Sequence, residues 1–196
     1  MVIGITGSIA SGKSTVTRYL REQGYQIIDS DEIVHKLYEE DNVIKKIASS
    51  FSSEILENGK VDRKKLGQII FNNKDKRLIL NSIIHPLVIK KIKEKTSSYK
   101  GKLENIIFVD IPLLYEENLE HLVDKVIVIY LNQTKQIKRL MARDSIDEEY
   151  AIKKIKASMN LEVKKAKADY VIDNSFDLSN TYKETDEVLR RIKNEN

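Results

Sequence analysis

The sequence predicts an α/β fold in which a central parallel sheet of about five strands is flanked by helices. Short apolar runs alternate with longer stretches of helical periodicity, which is typical of buried strands joined by helical crossovers. A glycine-rich segment follows the first run directly, at the carboxyl edge where open α/β sheets bind their ligands. The runs expected to form strands cover residues 2–6, 25–28, 106–109, 126–131 and 170–172.

Length and charge narrow the class of protein. A chain of 196 residues is long enough for one sizeable core with insertions. Its 34 basic residues are dispersed among 30 acidic ones rather than gathered into a block. The net charge of +4 could suggest nucleic acid but suits an anionic small-molecule substrate equally well. The sequence has no cysteine and shows neither a signal peptide nor a membrane span. We therefore expect a cytoplasmic enzyme without a nucleic-acid or membrane partner, and composition does not determine its oligomeric state.

The glycine-rich segment is residues 7–14, Gly-Ser-Ile-Ala-Ser-Gly-Lys-Ser, which matches the phosphate-binding pattern G-x-x-x-x-G-K-[ST]. In such a loop, backbone N–H groups and the N-terminus of the next helix meet phosphate oxygens. Lys13 is expected to reach the β and γ phosphates, and the Ser14 hydroxyl to ligand Mg²⁺. The helix after the loop, about residues 13–23, should end at Gly24, which can adopt the left-handed cap conformation. The chain is thus expected to bind a nucleoside triphosphate.

A long segment of helical character separates the second and third apolar runs. Apolar side chains recur at helical spacing throughout residues 36–100. We expect this segment to be a helical insert, and residues 1–35 and 101–196 to form the nucleotide-binding core. Within the core, residues of about 139–167 are expected to form a helical lid.

Acidic residues end two of the predicted strands. Asp29 and Asp31 follow the second run, where one could position an acceptor hydroxyl and the other take its proton or hold metal-bound water. Alternatively, Asp31 caps the following helix. Asp110 ends the third run, where an acid helps to hold Mg²⁺ in many proteins with this loop, although a strand-terminal Asp bonded to loop backbone is an equal alternative. Residues 112–114 are expected to form an apolar wall beside the site.

Arg139 and Arg143 lie four residues apart and share one side of a predicted helix. Two guanidinium groups on one face suit phosphate, and arginines on a lid stabilise the charge of a transferring phosphoryl group. A solvated helix face is the competing interpretation of the same spacing.

In order and spacing, these residues resemble the dephospho-coenzyme A kinase family across nearly the whole chain. The phosphate loop is shared by many families, whereas the other matching segments are more specific. Those segments are Thr6-Gly7, Asp29-x-Asp31, His85-Pro86, Pro112-Leu113-Leu114 with Glu116, Gln136-x-x-Arg139 with Arg143-Asp144, and Ala168-Asp-Tyr-Val-Ile-Asp-Asn174.

The resemblance implies a P-loop kinase fold and transfer of the ATP γ-phosphate to the ribose 3′-hydroxyl of dephospho-coenzyme A. In that picture Asp31 is the base, Arg139 and Arg143 bring lid charge to the phosphates, and Asn174 lies beside the adenine. The remaining implied roles divide between the nucleotide and the acceptor. The triphosphate is held by Lys13 and the backbone of Ala10, Ser11, Gly12, Ser14 and Thr15, with Mg²⁺ on Ser14, and Asp110 remains the candidate for a second metal ligand. The acceptor contacts are Thr6, Asp29, Asp31, His85, Leu113 and Glu116, with His85 in the helical insert that receives the acceptor.

Some positions depart from the family pattern. In the expected lid segment, the family usually has Arg, Gln and Pro where this chain has Lys154, Ser158 and Asn160. It usually has Gly where this chain has Phe176. Ala10 replaces a loop glycine, and because an alanine disfavours positive φ we expect a negative φ there.

Other classes of protein fit less well. Another kinase acting on a nucleoside or nucleotide would share the loop, the sheet and the lid. A regulatory GTPase would need an Asn-Lys-x-Asp segment, which Ile172-Asp-Asn-Ser175 does not supply. A nucleic-acid-dependent ATPase is disfavoured by the dispersed charge.

Overall fold

A computed structural model describes residues 1–52, 55–71, 73–99 and 106–195. Seven strands and nine α-helices lie within these ranges. The strands are β1 (Val2–Gly7), β2 (Gln26–Asp29), β3 (Leu56–Glu57), β4 (Lys60–Val61), β5 (Ile107–Asp110), β6 (Lys125–Tyr130) and β7 (Tyr170–Asp173). The helices are α1 (Lys13–Glu22), α2 (Ser30–Leu37), α3 (Asp41–Phe51), α4 (Arg63–Phe71), α5 (Lys74–Ser97), α6 (Gln133–Asp144), α7 (Glu148–Lys156), α8 (Leu161–Lys167) and α9 (Leu178–Asn194).

The main sheet has five strands in the order β2-β5-β1-β6-β7. β1 is central and pairs in parallel with β5 and β6, so that Ile5 faces Asp110 on one side and Ile127 on the other. β7 continues the parallel arrangement beyond β6. The predicted α/β fold with a five-stranded parallel sheet is therefore confirmed.

The core forms where β-branched strand residues meet the flanking helices. Ile3 and Ile5 of β1 are fully buried, as are Val16 and Leu20 on one face of α1. Burying a side chain of this size contributes roughly 1.5–3 kcal/mol. Helix α1 ends just before Gly24, which has a φ of 89° and thus the expected left-handed conformation.

The chain divides into two compact units, residues 29–97 and the remainder. The insert was expected to begin at residue 36, but α2 belongs to the second unit because it packs against α5 within that unit. The expected boundary at residues 100 and 101 lies outside the described residues.

The second unit is not helical throughout, and in this respect the prediction was wrong. β3 and β4 form a short antiparallel hairpin whose turn is Asn58 and Gly59, both at positive φ. An Asn-Gly pair is the strongest local signal for such a turn, and here it outweighed the helical spacing of the neighbouring residues. No helix in the described part of the chain is long and apolar enough to cross a membrane.

Candidate active site

The phosphate-loop motif forms a tight connection between β1 and α1. β1 ends at Gly7, and α1 begins at Lys13 after Gly12, which has a φ of 92°. The Ser11 N–H donates to Ser8 O at 3.0 Å, and this bond closes the loop on itself. The first N–H groups of a helix lack partners within it, and Lys13 and Ser14 at the start of α1 line the cleft, so this end of the helix can bind an anion.

Ala10 has a φ of +60°, so the expectation of a negative φ was wrong. A loop that turns successive N–H groups to one side needs a left-handed residue, and the connection from Gly7 to Lys13 imposes this on Ala10. Buried Gln136 holds the neighbouring backbone, because its Nε2 donates to Ile9 O at 2.8 Å and lies 3.0 Å from Ser8 Oγ. The local preference of alanine was overridden by these surroundings.

Asn174 is buried directly behind the loop. Its Nδ2 donates to Ser11 O at 2.7 Å, and its Oδ1 accepts from Thr181 Oγ1 at 2.8 Å. Its backbone carbonyl accepts from Arg139 at 3.2 Å. The side-chain amide therefore braces the phosphate loop, and the adenine contact expected for Asn174 stays a prediction.

Lys13 forms an ion pair with the Asp110 carboxylate. Asp110 is buried at the end of β5, the strand beside β1. Ser14 lies exposed in the first turn of α1 and lines the same cleft. The structure thus pairs Asp110 with Lys13, the chain neighbour of Ser14, and the expectation that Ser14 and Asp110 hold Mg²⁺ stays a prediction.

One wall of the cleft is formed by residues that come directly after β5 in the chain. Thr6 is fully buried, and its hydroxyl donates to Pro112 O at 3.0 Å. Leu113 is about half exposed and lines the cleft. Glu116 Oε1 accepts from Met159 N at 3.0 Å and pairs with Lys164 Nζ at 2.9 Å. Thr6 and Glu116 were expected to contact the acceptor, and in the structure they bond to the protein itself. Thr6 bonds the Pro112 carbonyl, and Glu116 bonds Met159 and Lys164.

Arg139 and Arg143 of α6 differ in their hydrogen-bond partners. Arg139 contacts Asn174, whereas Arg143 pairs with the next residue, Asp144, through Nε and Oδ1 at 2.8 Å. Lys154 reaches Asp144 Oδ2 from α7 at 2.7 Å. Hydrogen bonds from Arg143 and Lys154 lower the pKa of Asp144 to about 2. Lys154, which stands where the family usually has an arginine, therefore contacts the same carboxylate as Arg143.

These elements surround one cleft of about 690 Å³. Its lining comes from the phosphate loop, the segment after β5, the lid helices and α8. The lining residues outside residues 7–15 are Pro112, Leu113, Arg139, Arg143, Lys154, Ala157, Ser158 and Lys164. Sequence reasoning named Gln136 only as part of a matching segment and missed its contact with the loop, and it missed Lys164 altogether. Buried polar residues on predicted helices are a signal that could have found them.

Asp29, Asp31 and His85 belong to the second unit. Asp29 Oδ1 accepts from Asp31 N at 2.9 Å and from Glu32 N at 3.1 Å. Asp29 is therefore the residue that caps α2, and the alternative role of Asp31 as the cap is wrong. Among the described residues, none makes a hydrogen bond or ion pair with the exposed Asp31 carboxylate. His85 is half-buried within α5, which continues through Pro86.

A family model described as dephospho-CoA kinase matches residues 1–180. The chain belongs to the dephospho-CoA kinase family. It is 43% identical over 194 residues to a dephospho-CoA kinase of Carboxydothermus hydrogenoformans, covering 98% of this chain and 94% of that protein. Members of this family are transferases that carry out the ATP-dependent final step of coenzyme A synthesis, and the expected activity is therefore confirmed.

Solved structures agree with the dephospho-CoA kinase assignment. The dephospho-CoA kinase from Campylobacter jejuni superposes with a TM-score of 0.73 and is 37% identical, covering 98% of this chain and 97% of that one. Shikimate kinase from Bacteroides thetaiotaomicron superposes with a TM-score of 0.59 at 13% identity, covering 98% of each chain. This second likeness shows only that the fold is that of a P-loop kinase.

Proposed function

We propose that the cleft binds ATP and Mg²⁺ and that the chain phosphorylates the ribose 3′-hydroxyl of dephospho-coenzyme A. The arrangement of Lys13 and Asp110 at the mouth of the phosphate loop is the observation that carries this proposal. A lysine and an acid at this position serve, respectively, the phosphates and the metal in P-loop enzymes. The chain's membership of the dephospho-CoA kinase family supports the choice of acceptor.

Ser14 and Asp110 are suitable ligands for Mg²⁺. Magnesium prefers oxygen ligands and is usually held by one or two side chains together with phosphate oxygens and water. A hydroxyl and a buried carboxylate on neighbouring elements meet that requirement. When bound, Mg²⁺ neutralises charge on the β and γ phosphates. Lys13 is proposed to exchange its contact with Asp110 for the phosphates when ATP binds.

Asp31 is proposed as the general base. Its carboxylate is exposed in the first turn of α2, and Asp29 fixes that turn by capping it. An exposed carboxylate can accept the proton of an attacking hydroxyl late in phosphoryl transfer. Asp29, His85 and Leu113 are proposed acceptor contacts on the strength of the family resemblance alone.

Arg139, Arg143 and Lys154 are proposed to supply positive charge to the triphosphate from the lid. All three line the cleft with the phosphate loop. Fixed cations aimed at the phosphoryl oxygens stabilise the transition state most strongly where water is excluded. We further propose that the enzyme works in the cytoplasm without a nucleic-acid or membrane partner.

A turnover assay with a panel of acceptors tests the proposal. The purified protein is incubated with ATP, Mg²⁺ and either dephospho-coenzyme A, nucleosides, nucleoside monophosphates or nucleic acid. ADP release is followed, and the acceptor is analysed by mass spectrometry. Rapid formation of coenzyme A with little product from the others is the expected result. Turnover on another acceptor, with none on dephospho-coenzyme A, would overturn the substrate assignment.

A further inference from the structure

Lys164 in α8 is fully buried, with a side-chain exposure of 0%. Burying an ionised amine is costly unless its charge is neutralised and its N–H groups are bonded. Burial lowers the pKa of Lys164, and the nearby Lys13 ammonium lowers it further, whereas the Glu116 carboxylate opposes both effects. Lysine is almost never fully buried unless it is paired, which indicates that the partners of Lys164 are important to the structure.

The ammonium group of Lys164 has three bonding partners. Nζ donates to Gly7 O at 2.9 Å and to Pro112 O at 3.1 Å, and it pairs with Glu116 Oε1 at 2.9 Å. A protonated amine has three N–H donors, so this set satisfies all of them. Two of the three partners are main-chain carbonyls, which means that the side chain fixes backbone position as well as charge.

Two of the three partners, Gly7 and Pro112, line the cleft, and Glu116 is linked to it through Met159. Gly7 is the first residue of the phosphate loop, and Pro112 starts the apolar wall, where Thr6 donates a second hydrogen bond to the same carbonyl. Glu116 Oε1 also accepts from the Met159 N–H, in the turn between α7 and α8. The neighbouring residues 157 and 158 line the cleft from that turn. The ammonium group of Lys164 consequently bonds the phosphate loop and the Pro112 wall directly, and it is linked to the α7–α8 turn through Glu116.

Glu116 depends on Lys164 for its neutralisation. Its second oxygen, Oε2, is buried and has no hydrogen-bond partner among the described residues. Lys164 is also the cation that pairs with this carboxylate within the described part of the chain. Removing Lys164 alone would therefore leave the mostly buried Glu116 carboxylate without its cation. The resulting loss of stability would obscure any effect on the cleft.

We propose that Lys164 is a positioning residue, which sets the phosphate loop against the Pro112 wall and the α7–α8 turn so that the cleft has the geometry that ATP requires. It acts through the carbonyls of Gly7 and Pro112 and through Glu116. The proposal rests on ATP binding in the cleft but not on the identity of the acceptor. A misplacement of about 1 Å in such a site can cost roughly 100-fold in rate.

The test removes both charges together. Lys164→Met with Glu116→Gln keeps the volumes similar and leaves no buried unpaired ion. Thermal unfolding, affinity for a non-hydrolysable ATP analogue, and kcat and KM for each substrate are measured. We expect a melting temperature near that of the wild type, with ATP-analogue affinity and kcat/KM for ATP each reduced roughly 10- to 100-fold. Lys156→Met, which removes an exposed lysine of α7, is the matched control and should leave all values unchanged.

Two outcomes of this experiment overturn the proposal. If the double variant keeps both the stability and the ATP affinity of the wild type, the pair does not position the phosphate loop. If only KM for dephospho-coenzyme A rises, Glu116 is an acceptor contact and Lys164 does not position the loop. Failure of the wild type to phosphorylate dephospho-coenzyme A would instead count against the acceptor assignment, because ATP-analogue affinity is measured without an acceptor.

A measurement on the wild-type protein covers the case in which the double variant does not fold. Amide hydrogen exchange is followed with and without the ATP analogue. The proposal predicts that exchange of the Met159 amide slows together with exchange in residues 10–15, because Lys164 and Glu116 connect the two. Protection of residues 10–15 with no change at Met159 would overturn it.

Discussion

The side-chain amide nitrogen of Asn174 lies 1.9 Å from the point that a Cβ atom on Gly12 would occupy. Gly12 also has a φ of +92°, a conformation that L side chains rarely adopt. Asn174 cannot retreat easily, because its amide bonds both Ser11 and Thr181. The second loop glycine is therefore required by the residue behind the loop as well as by the phosphate in front of it.

Gly12→Ala is expected to destabilise the protein by roughly 2–5 kcal/mol, the sum of backbone strain and overpacking, and to abolish tight ATP binding. Chemical unfolding and ATP-analogue titration provide the measurement. Gly67→Ala is the matched control, since Gly67 lies in α4 and, apart from its own stretch of helix, no atom of the described residues lies within 4 Å of its added Cβ. That control should gain up to about 1 kcal/mol from helix propensity. Unchanged ATP affinity in Gly12→Ala would contradict the close contact with Asn174.

Ala10→Gly should stabilise the protein by roughly 1 kcal/mol. At a φ of +60° alanine pays a steric penalty of about 1–2 kcal/mol that glycine does not, offset in part by the greater freedom of glycine in the unfolded chain. The measurement is the free energy of unfolding in urea. Ala48→Gly, in helix α3, is the control and should lose about 0.5–1 kcal/mol. A loss of stability in Ala10→Gly would argue against a left-handed residue at this position.

Asp31→Asn should reduce kcat by roughly 10²- to 10⁴-fold while leaving ATP affinity within a few-fold, because only the proton acceptor is lost. Steady-state kinetics and ATP-analogue titration separate the two effects. Glu32→Gln changes the adjacent exposed acid of the same helical turn and serves as the control. If ATP binding collapsed while the residual rate stayed near normal, Asp31 would have a binding role instead.

The Asp144 contacts predict a pH dependence of stability. The pKa of Asp144 is about 2 in the folded protein and 3.8 ordinarily, so the unfolded state binds more protons between these values. The stabilising contribution of Asp144 is therefore complete above about pH 4 and is lost as pH falls toward 2. The stability difference between wild type and Asp144→Asn, measured by urea unfolding from pH 6 downward, should shrink over that window. A difference that stayed constant to pH 2.5 would rule out the paired carboxylate.

Several site features could be predicted because they depend on neighbouring residues in the chain. The G-x-x-x-x-G-K-S segment identified the loop, and the acids after two apolar runs identified the carboxyl edge of the sheet. The helical spacing of Arg139 and Arg143 predicted that they share one side of a helix, and both line the cleft. The ion pair between Lys13 and Asp110 was not predicted, because it depends on the order of strands, which places β5 beside β1.

The sequence by itself determined the fold class, the phosphate loop and the family, because periodicity and motif spacing are local properties of the chain. Only the tertiary structure decided the conformation of Ala10, the bracing of the loop by Asn174 and Gln136, and the buried contacts of Lys164. These arise between residues that lie up to 163 positions apart, as for Asn174 and Ser11. Buried polar groups must form hydrogen bonds with one another because water is excluded, and leaving them unpaired would cost more free energy than an unfavourable local conformation.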